Sequence, residues 1–155
     1  MPTNIAFNQS GAPQGSRIIR NSELQDVLRF NGQKLVFIDS CFSGGFADKQ
    51  TGKVNNETLI NSLQDKNVIE SIPVIFTSSI KEERSWEHDP AKMGLFTYVL
   101  LEGISGKADA DRNGKITIKE LGDYVTKTVP GIRDNQHPYY LMPEGYNNFV
   151  IAETK

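Results

Sequence analysis

Short apolar runs alternate with stretches of helically spaced apolar residues along this chain. The continuous runs at 35–39 and 72–79 are typical of strands buried on both faces of a sheet. Helical spacing appears at 22–30, ahead of the first run, and again at 93–104, beyond the second. Because strands and amphipathic helices alternate, the pattern predicts an α/β domain whose sheet is covered by helices.

The ends of the first elements carry their own signals. Asn21 or Ser22 is the expected cap of the first helix, and Asn31-Gly32 is its expected end. Pro73 is expected at the start of the second strand, because proline cannot donate to a sheet ladder. The apolar residues at helical spacing that define this helix are Leu24, Val27 and Leu28, with Phe30 as an optional last member.

Later segments complete the predicted domain. Charged and polar stretches at 44–56 and 81–92 predict two surface loops. Gly106 is the expected end of the helix at 93–104. Residues 116–128 predict a further helix, and 148–152 predict a last strand.

The composition excludes several classes of partner. A chain of 155 residues is the size of one domain with a core of its own. Its net charge of -2 lacks the basic excess of nucleic-acid-binding proteins, so no nucleic-acid partner is predicted. No run approaches the roughly 18 apolar residues that a bilayer requires. The start at Met1 also lacks the regions of a signal peptide, so we expect a cytoplasmic protein without membrane contact.

The only cysteine, Cys41, lies in the segment 39–45, whose sequence is DSCFSGG. A buried strand that runs at once into a glycine loop presents a thiol to a cleft, which is where nucleophiles are usually placed. A single cysteine forms no internal disulfide, so this thiol is free to react. The alternative is that Cys41 is a small core residue, because free cysteine is often buried.

The segment 39–45 resembles the nucleophile segment of caspase-like cysteine proteases, especially bacterial caspase-domain proteins and metacaspases. Those proteins usually have histidine at the position of Phe42. The likeness continues through 77–79, 85–87 and 94–103.

The resemblance implies a fold. It is the caspase-like (caspase-haemoglobinase) three-layer α/β/α sandwich. From about residue 23 to 152 the order of segments is similar to the second half of such a domain. We therefore expect one caspase-like domain over 1–155 that is incomplete at its N-terminus.

The resemblance also implies a cysteine-type endopeptidase that cleaves protein or peptide substrates through the Cys41 thiolate. Asp39, two residues earlier, would form an acidic pocket for the arginine or lysine before the scissile bond. The other interpretation of Asp39 is structural, because aspartate at a strand end often accepts backbone N–H groups of the following loop.

The catalytic histidine that the resemblance requires is missing. In the family it lies roughly fifty or more residues before the cysteine, whereas residues 1–40 contain no histidine. His88 and His137 both follow Cys41, and neither precedes a glycine. We favour a fragment or one half of a split protease, with the missing N-terminal half as its partner, over a complete protein that has lost catalysis. A noncatalytic caspase-like interaction or regulatory domain is the alternative.

The segment 109–120 matches an EF-hand loop, with oxygen-bearing residues at loop positions 1, 3, 5, 9 and 12 and glycine at position 6. The predicted Ca2+ ligands are the side chains of Asp109, Asp111, Asn113 and Glu120, the carbonyl of Lys115, and the hydroxyl or a bridging water of Thr117. The alternative is a polar turn that binds no ion. A calcium-binding structural module with an incidental cysteine is a third hypothesis for the whole chain. EF-hands normally pair, and because only one is visible we expect weak binding.

Overall fold

The part of the chain described by the computed structural model comprises residues 21–30, 32–39, 61, 63–64, 72–79 and 83–154. Its elements in chain order are α1 (Asn21–Val27), β1 (Leu35–Ile38), β2 (Val74–Thr77), β3 (Glu87–His88), β4 (Met93–Gly94), α2 (Leu95–Glu102), β5 (Lys115–Thr117), α3 (Ile118–Ile132), β6 (Tyr139–Leu141) and β7 (Val150–Glu153). A 3-10 turn at Asp89–Ala91 connects β3 to β4, and a π-helical turn at Gly103–Lys107 continues α2.

The largest described sheet has the strand order β1-β2-β6. β1 and β2 are parallel, with Leu35 opposite Val74 and Ile38 opposite Thr77, and β6 runs antiparallel to β2. The two predicted apolar strands are therefore confirmed, each shorter than its run. Pro73 directly precedes β2, as expected. β6 was not predicted from the sequence.

β2 divides the core between two faces of the sheet. All four of its residues are buried, and alternate side chains point to opposite faces. Ile75 packs with Leu28 and Leu63 on one face. The other face carries a larger buried cluster: Val74, Phe76, Leu95, Phe96, Val99, Leu100, Ala108, Ile116, Ile118, Leu121, Val125 and Val129. Helices thus cover both faces, as a three-layer α/β/α arrangement requires.

α1 is shorter than predicted and buries fewer residues. Leu28 is buried and Leu24 packs against it, but Val27 is 69% exposed and Phe30 is 53% exposed. Val27 belongs to the helix as predicted but faces solvent. The helix ends at Val27, so Leu28 and Phe30 both lie beyond it, and of these two only Leu28 packs into the core.

The charged segment 81–92 was expected to be a loop, and residues 83–86 have no regular structure, but Glu87–His88 form a short strand that was not expected. β3 and β4 form an antiparallel pair in which Glu87 lies opposite Gly94. Ser85, just before the pair, is buried. The predicted loop at 44–56 lies outside the described residues.

The two helices and the last strand predicted for the second half are present with shifted ends, but residues 115–117 form the strand β5 and not the start of a helix. α2 ends at Glu102, and the π-helical turn then carries the chain to Lys107, with Gly106 at φ 125°. α3 extends to Ile132, beyond the predicted end at 128. β7 lies at Val150–Glu153 and pairs antiparallel with β5. None of the described helices is long and apolar enough to cross a bilayer.

Candidate functional site

Asp39 follows β1 directly, at the carboxyl end of that strand. Cys41, the predicted nucleophile, lies outside the described residues. Asp39, two residues earlier, is the described residue nearest to it in the sequence. In parallel sheets, ligands collect beyond the carboxyl ends of the strands, and Asp39 occupies such a position beside β2.

The carboxylate of Asp39 accepts two hydrogen bonds from hydroxyl groups. Ser85 Oγ donates to Oδ1 at 2.7 Å, and Thr97 Oγ1 donates to Oδ2 at 2.5 Å. The two donors lie on different elements, one before β3 and one in the first turn of α2. The structural interpretation of Asp39 invoked backbone N–H groups of the following loop, which lie outside the described residues.

Gly94 allows the carboxylate to approach the start of α2. A Cβ atom at Gly94 would lie 2.2 Å from Asp39 Oδ2, well inside van der Waals contact. Gly94 is also the residue that caps α2, so the negative charge faces the N-terminal end of a helix dipole. The side chain is nevertheless exposed, which leaves its remaining lone pairs accessible to a ligand.

Gln136 supports this arrangement from the interior. Its side chain is fully buried. Its Nε2 donates to the Ser78 carbonyl at 2.9 Å and to Ser85 Oγ at 3.5 Å, while its Oε1 accepts from the Trp86 N–H at 2.9 Å. Gln136 was not predicted from the sequence, because nothing in its neighbourhood marks a glutamine as buried. It also missed Thr97 as a partner of Asp39, although both Ser85 and Thr97 lie in segments that carry the family resemblance.

The two histidines have described partners of their own. His88 Nδ1 accepts from the Ala91 N–H at 3.2 Å, and its ring stacks on Tyr98 with centroids 3.9 Å apart. His137 Nδ1 lies 2.8 Å from Glu83 Oε1, and its backbone N–H donates to the same carboxylate. Neither imidazole contacts Asp39 among these interactions.

The predicted calcium loop brings its three carboxylates together. Oxygen atoms of Asp109, Asp111 and Glu120 all lie within 4.8 Å of one another. Asp109 accepts from the backbone N–H groups of Asn113 at 3.1 Å and Gly114 at 3.0 Å. These bonds close the tight turn of the loop. Gly114 has φ 80°, a conformation that glycine adopts without steric cost.

The end of the loop is also the start of α3. Thr117 Oγ1 accepts from the Glu120 N–H, and Glu120 Oε2 accepts from the Thr117 N–H, which is a reciprocal capping box. The backbone hydrogen bond from Thr117 lowers the pKa of Glu120 and keeps this carboxylate ionised. An open cavity of about 410 Å³ adjoins the loop. Its lining residues are Asp111, Asn113, Lys115, Thr117, Lys119, Glu120, Asp123, Asn147, Asn148 and Val150.

The strand inside the loop has a partner. β5 pairs with β7, with Ile116 opposite Ala152. Backbone bonds extend the pairing on both sides, from the Thr154 N–H to the Gly114 carbonyl at 2.9 Å and from the Ile118 N–H to the Phe149 carbonyl at 3.0 Å. β7 is not a second EF-hand, so this pairing leaves the expectation of weak calcium binding untested.

The sheet has helices on both faces, and its first described strand leads into the cysteine segment, which makes this an α/β protein. The family profile of the caspase domain matches residues 10–147, which is most of the chain. The chain therefore belongs to the caspase-domain peptidase family, and the resemblance and the caspase-like α/β fold are confirmed. Membership indicates a cysteine-peptidase type of function in general terms, with proteins as the substrate class. Comparisons with curated proteins and with solved structures gave no match.

Proposed function

We propose that this chain is the nucleophile-bearing unit of a caspase-type cysteine endopeptidase. The Cys41 thiolate attacks the carbonyl carbon of a peptide bond, the C–N bond breaks, and the amine leaves with a proton. Water then hydrolyses the acyl-enzyme and regenerates the thiol. Membership of the caspase-domain family supports this chemistry, and Cys41 follows Asp39 by two residues in the sequence.

We further propose that Asp39 binds the basic side chain before the scissile bond. The geometry of its carboxylate carries this proposal. An ionised carboxylate accepts at about four lone-pair positions. The hydroxyls of Ser85 and Thr97 use one on each oxygen, and the side chain is exposed. Each oxygen therefore keeps capacity for a guanidinium or ammonium group.

The general base is assigned to a histidine outside these 155 residues. His88 and His137 are the only histidines in the sequence; both follow Cys41 and neither precedes a glycine, so neither occupies the position that the family's catalytic histidine has. A further polypeptide segment is then a partner of the active enzyme.

The test measures alkylation of Cys41, the only cysteine, by two kinds of reagent. Iodoacetamide, applied over a range of pH, reports the thiol pKa, and a value well below about 8.5 marks an activated nucleophile. Peptidyl acyloxymethyl ketones ending in arginine or norleucine report recognition. Wild-type protein is expected to react faster with the arginine reagent, and Asp39→Asn should reduce that preference about tenfold, since hydrogen bonds to charged groups contribute about 1.5–3 kcal/mol.

Glu144→Gln is the matched control, because it also removes one negative charge and lies exposed outside both sites. An unreactive thiol, with or without a histidine-bearing segment added, contradicts the endopeptidase and favours a noncatalytic interaction domain. A reactive thiol without arginine preference contradicts only the assignment of Asp39.

We also propose that the loop 109–120 binds Ca2+. The proximity of three carboxylates, each carried at a position that the EF-hand pattern requires, favours this second function. The pairing of β5 with β7 further favours a loop already held in shape, which lowers the ordering cost of binding.

Calorimetric titration of chelator-treated protein with CaCl2 tests the calcium proposal. We expect saturable binding at one site in the wild type and none in Glu120→Gln, with Glu144→Gln as the control. Absence of binding in the wild type contradicts the proposal and leaves a polar turn.

A further inference from the structure

Gln136 is an uncharged polar side chain with no solvent exposure, and it connects two segments that both lead to Asp39. Buried amides are retained where their hydrogen bonds are satisfied. The three bonds of Gln136 join the residue after β2 to the segment that enters β3.

The first route from Gln136 runs through the backbone. Gln136 Nε2 donates to the Ser78 carbonyl at 2.9 Å. The N–H of Ser78 in turn donates to the Ile38 carbonyl at 2.8 Å. Ile38 is the residue before Asp39, so this route fixes the backbone from which the carboxylate projects.

The second route runs through a side chain. Gln136 Nε2 lies 3.5 Å from Ser85 Oγ, and Ser85 Oγ donates to Asp39 Oδ1 at 2.7 Å. The Gln136 N–H that donates to Ser85 Oγ occupies a lone pair of that oxygen. The hydroxyl hydrogen of Ser85 then remains available to the Asp39 carboxylate.

The orientation of the amide sets the direction of this second route. Gln136 Oε1 accepts from the Trp86 N–H at 2.9 Å. A flipped amide would place the Gln136 NH2 group against the Trp86 N–H, so that two donors would face each other. The fixed amide therefore keeps Ser85 as a donor to Asp39.

We propose that Gln136 is a positioning residue for recognition of the basic substrate side chain, acting on Asp39 through Ser85 and through the backbone at Ile38. This inference rests on the proposed pocket at Asp39. A guanidinium that binds in a bidentate manner requires both carboxylate oxygens in place, whereas an ammonium acts as a point charge. Loss of positioning should therefore weaken arginine recognition more than lysine recognition.

The experiment compares alkylation of Cys41 by acyloxymethyl ketones ending in arginine, lysine and norleucine, each divided by the iodoacetamide rate of the same protein. Gln136→Met keeps the approximate volume and removes the amide, and Asn135→Ala is the control, since Asn135 is an exposed residue of the same turn. We expect Gln136→Met to lower the rate with the arginine reagent about tenfold. This corresponds to loss of one hydrogen bond between the Asp39 carboxylate and the guanidinium group. The lysine rate should fall less, and the norleucine rate should not change.

A loss of stability alone would lower none of these ratios in folded protein. If Gln136→Met does not fold, Ser85→Ala removes only the hydroxyl that contacts Asp39 and should give the same order of effects. Where the thiol does not react, NMR titration with Nα-acetyl-arginine amide gives the same comparison from dissociation constants.

The outcomes separate the two proposals. A wild type that prefers arginine over norleucine, together with variants that keep the full preference, overturns the positioning role alone. A wild type that does not distinguish arginine from norleucine, by alkylation or by NMR, overturns the pocket at Asp39 and the positioning role with it.

Discussion

The predicted calcium loop at 109–120 and the Asp39 cluster, which comprises Asp39, Ser85, Thr97 and Gln136, are both built around carboxylates, but they are assembled over different sequence distances. In the loop, Asp109 is held by N–H groups four and five residues away. Asp39 is held by hydroxyls 46 and 58 residues away. A local site needs only a short turn to form, whereas the Asp39 cluster exists only when β1, the β3–β4 segment and α2 are packed together.

The largest expected effect is that of Gly94→Ala, which tests how tightly the Asp39 cluster is packed. The new Cβ would lie 2.2 Å from Asp39 Oδ2, so the carboxylate must move and lose its hydroxyl partners. We expect a loss of about 2 kcal/mol in the free energy of unfolding, measured by urea denaturation. Arginine preference in the alkylation assay should fall with it.

Gly131→Ala is the control for the Gly94 variant. A Cβ at Gly131 would meet nothing within 4 Å, and this residue lies in the last turn of α3. Alanine there should be neutral or should stabilise by about 0.5 kcal/mol. Equal stability of the two alanine variants would show that the contact between Gly94 and Asp39 does not constrain the cluster.

The same contrast explains what the sequence could predict. The six predicted loop ligands lie within twelve consecutive residues, and the structure brings the carboxylates of three of them, Asp109, Asp111 and Glu120, close together. β1, β2 and the helix at α2 followed from apolar spacing, because burial on a sheet or helix leaves a period in the sequence.

The partners of Asp39 are not marked by any periodic spacing of apolar residues in the sequence. Ser85 and Thr97 meet Asp39 only through the packing of distant segments, and Gln136 has the residue type expected on a surface. β6 was missed for a related reason, since three residues at Tyr139–Leu141 are too few to show alternation. The fold class was thus predictable, and the contacts of the Asp39 cluster were not.

Thr154→Pro tests whether the predicted calcium loop keeps its conformation without support from residues outside 109–120. Proline removes the N–H that donates to the Gly114 carbonyl, and so weakens the pairing of β5 with β7. We expect stability to fall by about 1.5 kcal/mol and Ca2+ affinity to fall several-fold in calorimetric titration. Thr154→Ser keeps the N–H and serves as the control. Unchanged affinity in the proline variant would establish that the loop needs no support from β7.

Thr117→Ala tests the local bonds of the loop itself. It removes the hydroxyl that caps α3, at an expected loss of about 1 kcal/mol, and Thr117→Ser should restore most of this stability.

The pKa of Glu120 is lowered chiefly by the backbone hydrogen bond from Thr117. Glu120 therefore stabilises the folded state at pH values above its unfolded pKa, and this stabilisation is lost as the pH falls through its folded pKa. Acid unfolding of the wild type without calcium should show this loss, and Glu120→Gln should flatten the curve in the same range.

The smallest expected effect is that of Tyr140→Phe, which tests whether the two sites are energetically separate. Tyr140 lies on β6 beside β2, and its hydroxyl donates to Asp123 of α3 at 2.9 Å, so it connects the sheet that carries Asp39 with the helix that leaves the loop. Burial, together with the bond to Asp123, raises the pKa of Tyr140 to about 12.

A raised pKa means that the stability contributed by this phenol is complete below the ordinary value of 10.0 and is lost as the pH rises toward 12. Tyr140→Phe should cost about 0.5 kcal/mol near neutral pH and should reduce the decline in stability above pH 10. Ultraviolet titration of the phenolate at 295 nm checks the assignment, because one late-titrating tyrosine should disappear in the variant. If the two sites are separate, neither Ca2+ affinity nor arginine preference changes. A change in either would identify Tyr140 as a coupling residue between a local site and a long-range one.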